Sequence, residues 1–142
     1  MNPIAERNLA TSRRWLEEVF NSHSLDAVPQ IISPAYVNVG TTTTTGLAAG
    51  RQVIEQADAW APDRRIEIKY IAAHDDVVLV LFSLSGTHTG TFDGVEATGQ
   101  PFSVWLTDAF RFDPDGAMIE GWVIGKGDLR QALLATTSGV PA

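Results

Sequence analysis

The chain has 142 residues, a formal net charge of −7 and no cysteine, so one domain with one core is expected and disulfide or thiolate chemistry is excluded. The acidic balance argues against a nucleic-acid partner, because phosphate binding needs a basic surface. No stretch approaches the ~18 apolar residues of a membrane span and the start lacks an apolar signal core, so we expect a cytoplasmic protein with no membrane partner.

The first part of the sequence is predicted to be mostly helical. Asn2 followed by Pro3 is typical of a helix start, and the helix would carry apolar residues, ending with Phe20, toward the core. Ser24 is expected to cap a short second helix. A short strand (35–39) and a polar loop, GTTTTTG, then precede a third helix over Leu47–Trp60.

From residue 64 the pattern changes to strands. The segment RIEIKY alternates apolar and charged residues, and VVLVLFSLSGTHTG is a longer buried strand. A loop, the strand FSVWLTDAFRF, a DPDG turn and the strand AMIEGWVIG follow, and GDLRQALL is a last short helix. Helices followed by an antiparallel sheet indicate a single α+β domain over residues 1–135, with residues 136–142 as a flexible tail.

The strand FSVWLTDAFRF raises a chemical question, because Asp108 has the same parity as Leu106 and the phenylalanines of its apolar face. A four-residue type I turn in DPDG would place Asp108 opposite Gly121. A glycine there would leave space for a small-molecule pocket. Burial should raise the pKa of Asp108 and suit it to proton transfer. The alternative is a structural acid that is hydrogen-bonded to the backbone.

Other polar residues could join this pocket. Tyr36 and Asn38 project to one side of the first strand, where a phenol and an amide can orient a carbonyl or a water; a purely structural pair is the alternative. His88 shares the parity of the apolar side of its strand and is either a second pocket group or a satisfied, partly exposed side chain. The histidines show no ligand spacing with acids, so no metal site is expected.

The opposite face of the same hairpin carries two tryptophans. Trp105 and Trp122 either pack under a neighbouring strand or form an interface, since aromatic residues are enriched in interface cores.

A family resemblance accompanies these patterns. The segments GTHTGTFDGVEATGQPF and DGAMIEGW, with Arg111 before the turn, resemble the SnoaL-like polyketide cyclases of the nuclear transport factor 2-like superfamily. The likeness extends from about Arg14 to Leu133 and includes VFNSHSLDAV and SPAYVN. It implies a cone-shaped α+β fold, with N-terminal helices packed on a curved, mostly antiparallel sheet that encloses a pocket. It also implies a homodimer or larger oligomer that associates through the outer sheet face.

The resemblance breaks down at the positions that matter most for activity. Family cyclases use an aspartate that matches Val123 here, and their partner histidine matches Asp108. A pocket asparagine is retained as Asn38. The epoxide-hydrolase type has a similar Tyr36-x-Asn38 pair, but its arginine and first aspartate fall roughly at Phe82 and Leu84, so that triad is absent.

These observations predict a cofactor-independent acid/base enzyme of the cyclase or isomerase type, acting on a hydrophobic oxygenated small molecule such as a polyketide intermediate. No G-x-G-x-x-G motif or other flavin, haem or nicotinamide signature is visible. The alternatives are a non-catalytic binding or accessory protein of the same fold and a hydroxylase-related or epoxide-hydrolase-like member. Asp108 is the predicted catalytic residue, and the predicted substrate-binding residues are Tyr36, Asn38, His88, Leu106, Gly121, Val123, Trp60 and Phe20.

Overall fold

In the computed structural model, which describes residues 2–40 and 42–137, α-helices pack against a six-stranded mixed sheet. This is the predicted α+β architecture. The helices are α1 (Pro3–Arg13), α2 (Val28–Ile31), α3 (Gly46–Trp60) and α4 (Lys126–Thr137). The strands are β1 (Ile32–Val39), β2 (Thr44–Thr45), β3 (Arg65–His74), β4 (Val77–Thr87), β5 (Pro101–Phe112) and β6 (Met118–Ile124).

Helix α1 begins as its sequence predicts. The Asn2 side chain accepts the N–H of Ala5 at 2.8 Å, and Pro3 occupies the first helical position. After Arg13 the helix continues as a π-helical segment, Arg14–Phe20. Ser24 occupies the N-cap position of a 3-10 turn, Leu25–Ala27, that leads into α2, but its side chain does not make a cap hydrogen bond.

The sheet has the strand order β2-β1-β6-β5-β4-β3. Strands β1 and β6 are parallel, and the other neighbouring pairs are antiparallel. The sheet therefore stays open, with β2 and β3 at its two edges. Strand β2 lies in the polar segment that the sequence suggested was a loop, where Thr44 and Thr45 pair with Asn38 and Val37 of β1.

The β5–β6 hairpin has a different register from the prediction. Asp108 pairs with Val123, and Phe110 rather than Asp108 pairs with Gly121. The hairpin closes between Asp113 and Ala117, and the pairing shifts again at an irregularity next to Phe112. Between Thr107 and Arg111 the pairing of β5 with β6 differs from the predicted pairing by two residues. Because side chains alternate with a period of two, each side chain keeps its predicted face even though its partner changes.

The edge strand β3 is partly protected by a side chain. Asn21, at the end of the π-helical segment, accepts the N–H of Ile66 at 2.8 Å and donates to its carbonyl oxygen at 3.1 Å. This amide occupies the hydrogen-bonding position of a neighbouring strand and blunts an edge that could pair with another chain.

Helix α4 extends to Thr137, so residues 136 and 137 of the predicted tail are helical, while residues 138–142 lie outside the described part of the chain. In the described part, no helix has the length and apolarity that crossing a membrane requires.

Candidate active site

Asp108 lies on the inner, helix-covered face of the sheet and is only 6% exposed. Its cross-strand neighbours are Val80 on β4 and Val123 on β6. The residues two positions away along β5, Leu106 and Phe110, are buried on the same face. The Oδ1 atom of Asp108 is buried and has no hydrogen-bond partner among the described residues. An unsatisfied carboxyl oxygen in an apolar wall is costly and calls for a functional explanation.

Burial raises the pKa of Asp108 from 3.8 to about 8, while the positive charge of Lys126 at the start of α4 acts in the opposite direction. The direction is the one expected from the sequence. At neutral pH the side chain is therefore mostly a neutral carboxylic acid, which can donate a proton and then take one back.

The space beside Gly121 is filled by Tyr36. A Cβ atom added to Gly121 would overlap the Tyr36 hydroxyl oxygen, so the glycine accommodates this phenol rather than leaving an open gap next to the acid. The buried Tyr36 hydroxyl donates a hydrogen bond to Asn38 Oδ1 at 3.1 Å. Burial, together with the nearby charge of Asp108, raises the pKa of Tyr36 far above its ordinary range, so the phenol keeps its proton.

Three strands thus bring most of the predicted site residues together on one face. Asn38 of β1 is in register with Gly121 of β6, and Asp108 of β5 is in register with Val123 of β6. The two positions that the resemblance associates with catalysis are therefore direct cross-strand partners. In this chain, position 108 carries an aspartate and position 123 carries a valine. The residues on this common face are Tyr36, Asn38, Leu106, Asp108, Gly121 and Val123.

The structure places His88 and Trp60 apart from this group. His88 lies eight positions beyond Val80, the β4 partner of Asp108, which corresponds to roughly 26 Å along an extended strand. His88 is fully buried, and its ring lies edge-on to that of Trp60 with 6.2 Å between centroids. Phe20 contacts Arg64, whose guanidinium lies 4.4 Å from its ring centroid.

The buried guanidinium of Arg64 belongs to a polar cluster that the sequence analysis missed. Arg64 donates to Asp58 Oδ1 at 2.8 Å and to the carbonyl oxygen of Phe20 at 3.0 Å. His23 also pairs with Asp58. The cluster ties the end of the π-helical segment to the end of α3. His23 is 35 residues before Asp58 in the sequence, and no sequence motif links His23, Asp58 and Arg64.

A cavity of about 500 Å³ lies away from Asp108, between the π-helical segment and β3. Its lining is mostly polar and includes Glu17, Asn21 and Arg65.

Across the described ranges, no cluster of three or more histidine, aspartate or glutamate side chains could hold a metal ion.

The family model for SnoaL-like polyketide cyclases matches residues 10–127. The chain belongs to this family. A search of curated proteins finds no match to the chain.

Solved structures agree with this assignment. A candidate SnoaL-like polyketide cyclase from Jannaschia sp. CCS1 superimposes with a TM-score of 0.85 at 20% identity, covering 94% of this chain and 95% of the other. AclR from Streptomyces galilaeus, a candidate hydroxylase, is 28% identical, with a TM-score of 0.76 over 96% of this chain and 83% of its own. IdmH from Streptomyces antibioticus, a candidate polyketide cyclase, is 26% identical, with a TM-score of 0.71 over 90% and 98% of the two chains.

Proposed function

We propose that this SnoaL-like family member is a cofactor-independent acid/base enzyme of the cyclase or isomerase type, acting on a hydrophobic oxygenated small molecule such as a polyketide intermediate. One observation carries the proposal: Asp108 is buried in an apolar wall with an unpartnered Oδ1 and a pKa raised to about 8. A carboxyl group in this state can act as a general acid at neutral pH.

Asp108 would transfer a single proton to and from the substrate. In the acid form it donates that proton to a substrate oxygen, which neutralises the negative charge that develops there. The carboxylate left behind gains from the positive charge of Lys126 and takes a proton from a substrate carbon or hydroxyl to complete the cycle. Because only protons move, the step needs no oxidant or reductant.

Tyr36 and Asn38 would orient the substrate. The Tyr36 hydroxyl donates its hydrogen to Asn38 Oδ1, so its oxygen lone pairs can accept a hydrogen bond from the substrate. The hydrogen bond also fixes the direction of the Asn38 amide, whose N–H₂ group can donate to a carbonyl or hydroxyl oxygen. Asn38 is half-buried, which is compatible with contact to a ligand.

Two alternatives are supported by specific observations. The similarity to AclR, a candidate hydroxylase at 28% identity, favours a hydroxylase-related function. The apolar Val123, at the position where the family resemblance implies an aspartate, favours a binding or accessory protein that has lost catalysis. Asp108 distinguishes these possibilities from the main proposal, because only that proposal requires its proton.

The test is Asp108→Asn, a nearly isosteric change, assayed against a panel of polyketide thioesters and aromatic ketones. We expect turnover to fall by roughly 10²–10⁴-fold, the usual contribution of one general acid/base, while substrate binding and folding persist. Asp115→Asn, at an exposed position in the β5–β6 turn, is the matched control and should retain full activity. An Asp108→Asn enzyme with wild-type turnover would disprove the proposal, and binding without turnover in the wild type would favour the accessory protein.

A further inference from the structure

A buried histidine outside the Asp108 site has a free donor. His88 is 0% exposed, and among the described residues its Nε2 atom has no hydrogen-bond partner. The aromatic rings of Trp60, Phe92 and Phe102 form a cluster beside it. The Trp60 centroid lies 4.6 Å from that of Phe92 and 5.0 Å from that of Phe102, and the Trp60–Phe102 pair is stacked. The cluster joins an oriented polar group to a large planar apolar surface.

The hydrogen bonds of His88 determine which ring nitrogen carries the hydrogen. The backbone N–H of Thr98 points at Nδ1 at 3.3 Å, and the Thr98 hydroxyl lies 3.1 Å from the same atom. A backbone N–H can only donate, so Nδ1 is an acceptor. The neutral ring therefore carries its hydrogen on Nε2. A buried N–H without an acceptor costs stability, and its retention calls for an explanation.

The β4–β5 loop (residues 88–100) closes the cluster. Its Phe92 and Val95 form an isolated bridge around the Asp93–Gly94 turn. Phe92 lies over Trp60 but is only half-buried, and the turn residues are exposed. The loop is also held by Arg130, which donates to the carbonyl oxygen of Asp93 at 3.2 Å. Phe92 is at the tip of this loop, so a movement confined to the tip would uncover one side of the Trp60 ring without disturbing the strands.

We propose that His88 and Trp60 form a second small-molecule site, which takes a planar aromatic ligand with a hydrogen-bond-accepting oxygen such as a ring ketone. The ring stacks on Trp60 in place of Phe92, and the carbonyl oxygen accepts the Nε2 hydrogen of His88. The ligand must carry a hydrogen-bond acceptor because the His88 tautomer places a hydrogen on Nε2. It must be planar because it stacks on the Trp60 ring. His88 lies one residue beyond the end of β4 and eight positions from Val80, the β4 partner of Asp108, so this proposal makes no use of the Asp108 carboxyl group.

The test uses full-length protein with ¹⁵N-labelled histidines and two probes, 1-tetralone and the matching hydrocarbon tetralin. In the free protein, the ring signals of His88 should show hydrogen on Nε2 and none on Nδ1. 1-Tetralone should shift the Nε2 resonance and bind roughly tenfold tighter than tetralin, the usual gain from one neutral hydrogen bond. His74, whose side chain is 93% exposed, is the internal control and should not shift.

Variants make the test specific. His88→Phe keeps an aromatic ring but removes the donor, so it should bind the two probes equally. Phe92→Ala removes the ring that covers Trp60 and should tighten 1-tetralone binding. Asp108→Asn should leave the 1-tetralone-induced shift of the His88 Nε2 resonance unchanged, so failure of the proposed reaction and failure of this site can be told apart. Hydrogen on Nδ1 in the free protein, equal shifts with both probes, or no shift of His88 in the wild type would overturn the proposal.

Discussion

At the scale of single residues, Asp108 couples the proposed chemistry to stability. Its folded-state pKa of about 8 lies above the 3.8 of an ordinary aspartate, so between these values the folded protein holds a proton that the unfolded chain releases. The stability contributed by the neutral form is fully present below about pH 4 and is lost as pH rises toward 8. The free energy of unfolding should fall by up to about 1.4 kcal/mol per pH unit in this window.

Asp108→Asn removes this titration, so we expect its unfolding free energy relative to wild type to increase from pH 4 to pH 8 and to level off above. Urea unfolding at a series of pH values measures the difference. The exposed Asp115→Asn variant should show no such increase. An unfolding free energy of Asp108→Asn minus that of wild type that stays constant or decreases with rising pH would contradict the raised pKa.

Gly121 and Tyr36 give a second residue-scale prediction, because the glycine makes room for the phenol oxygen. Gly121→Ala should destabilise the protein by about 1–3 kcal/mol through overpacking. Combining it with Tyr36→Phe removes the overlapping oxygen, so the double variant should lose less stability than the two single changes added together. Chemical unfolding of the four proteins gives this coupling, and strictly additive losses would show that the two residues do not share this space.

At the scale of elements, strand alternation was sufficient to predict faces but not partners. The parity of FSVWLTDAFRF correctly places Asp108 on the buried face. The register failed because the Asp113 side chain accepts the N–H groups of Asp115 and Ala117, which closes the turn one residue later than assumed, and because the pairing then shifts next to Phe112. Such side-chain and bulge effects have no periodic signal. Alternation also gives no position along a sheet, so it did not reveal that His88 lies beyond the end of β4, eight positions from Val80, the partner of Asp108.

Asn21 provides a prediction at this scale. Asn21→Ala removes both hydrogen bonds to the Ile66 backbone, so β3 loses its protected edge and we expect a stability loss of about 1–3 kcal/mol. The bared edge should also promote aggregation on heating. Thermal unfolding followed with light scattering measures both effects. Ser22→Ala, at the next position, which is exposed, is the control, and equal behaviour of the two variants would rule out the protective role of Asn21.

At the scale of the whole molecule, the outer face of the sheet is unusually apolar. Leu79, Ala109 and Trp122 form one cross-strand row, and Ile124 and Trp105 lie further along the same face. The side chains of Leu79, Trp105, Trp122 and Ile124 are 53%, 58%, 43% and 58% exposed. A contiguous patch of this kind on a folded domain typically marks an interaction surface.

We propose that this face joins copies of the chain into a homodimer or larger homo-oligomer, because aromatic residues of this kind are enriched in interface cores. Sedimentation at micromolar concentration should show an oligomer. Trp105→Lys combined with Trp122→Lys should convert it to a folded monomer, since two charges cannot be buried there without partners.

Ile4→Lys is the control, because Ile4 is 53% exposed but lies on α1, and this variant should assemble as wild type does. A wild-type monomer, or an oligomer that persists with both lysines, would exclude this face as the interface. Turnover by the lysine monomer would further show that one copy of the chain contains a complete Asp108 site.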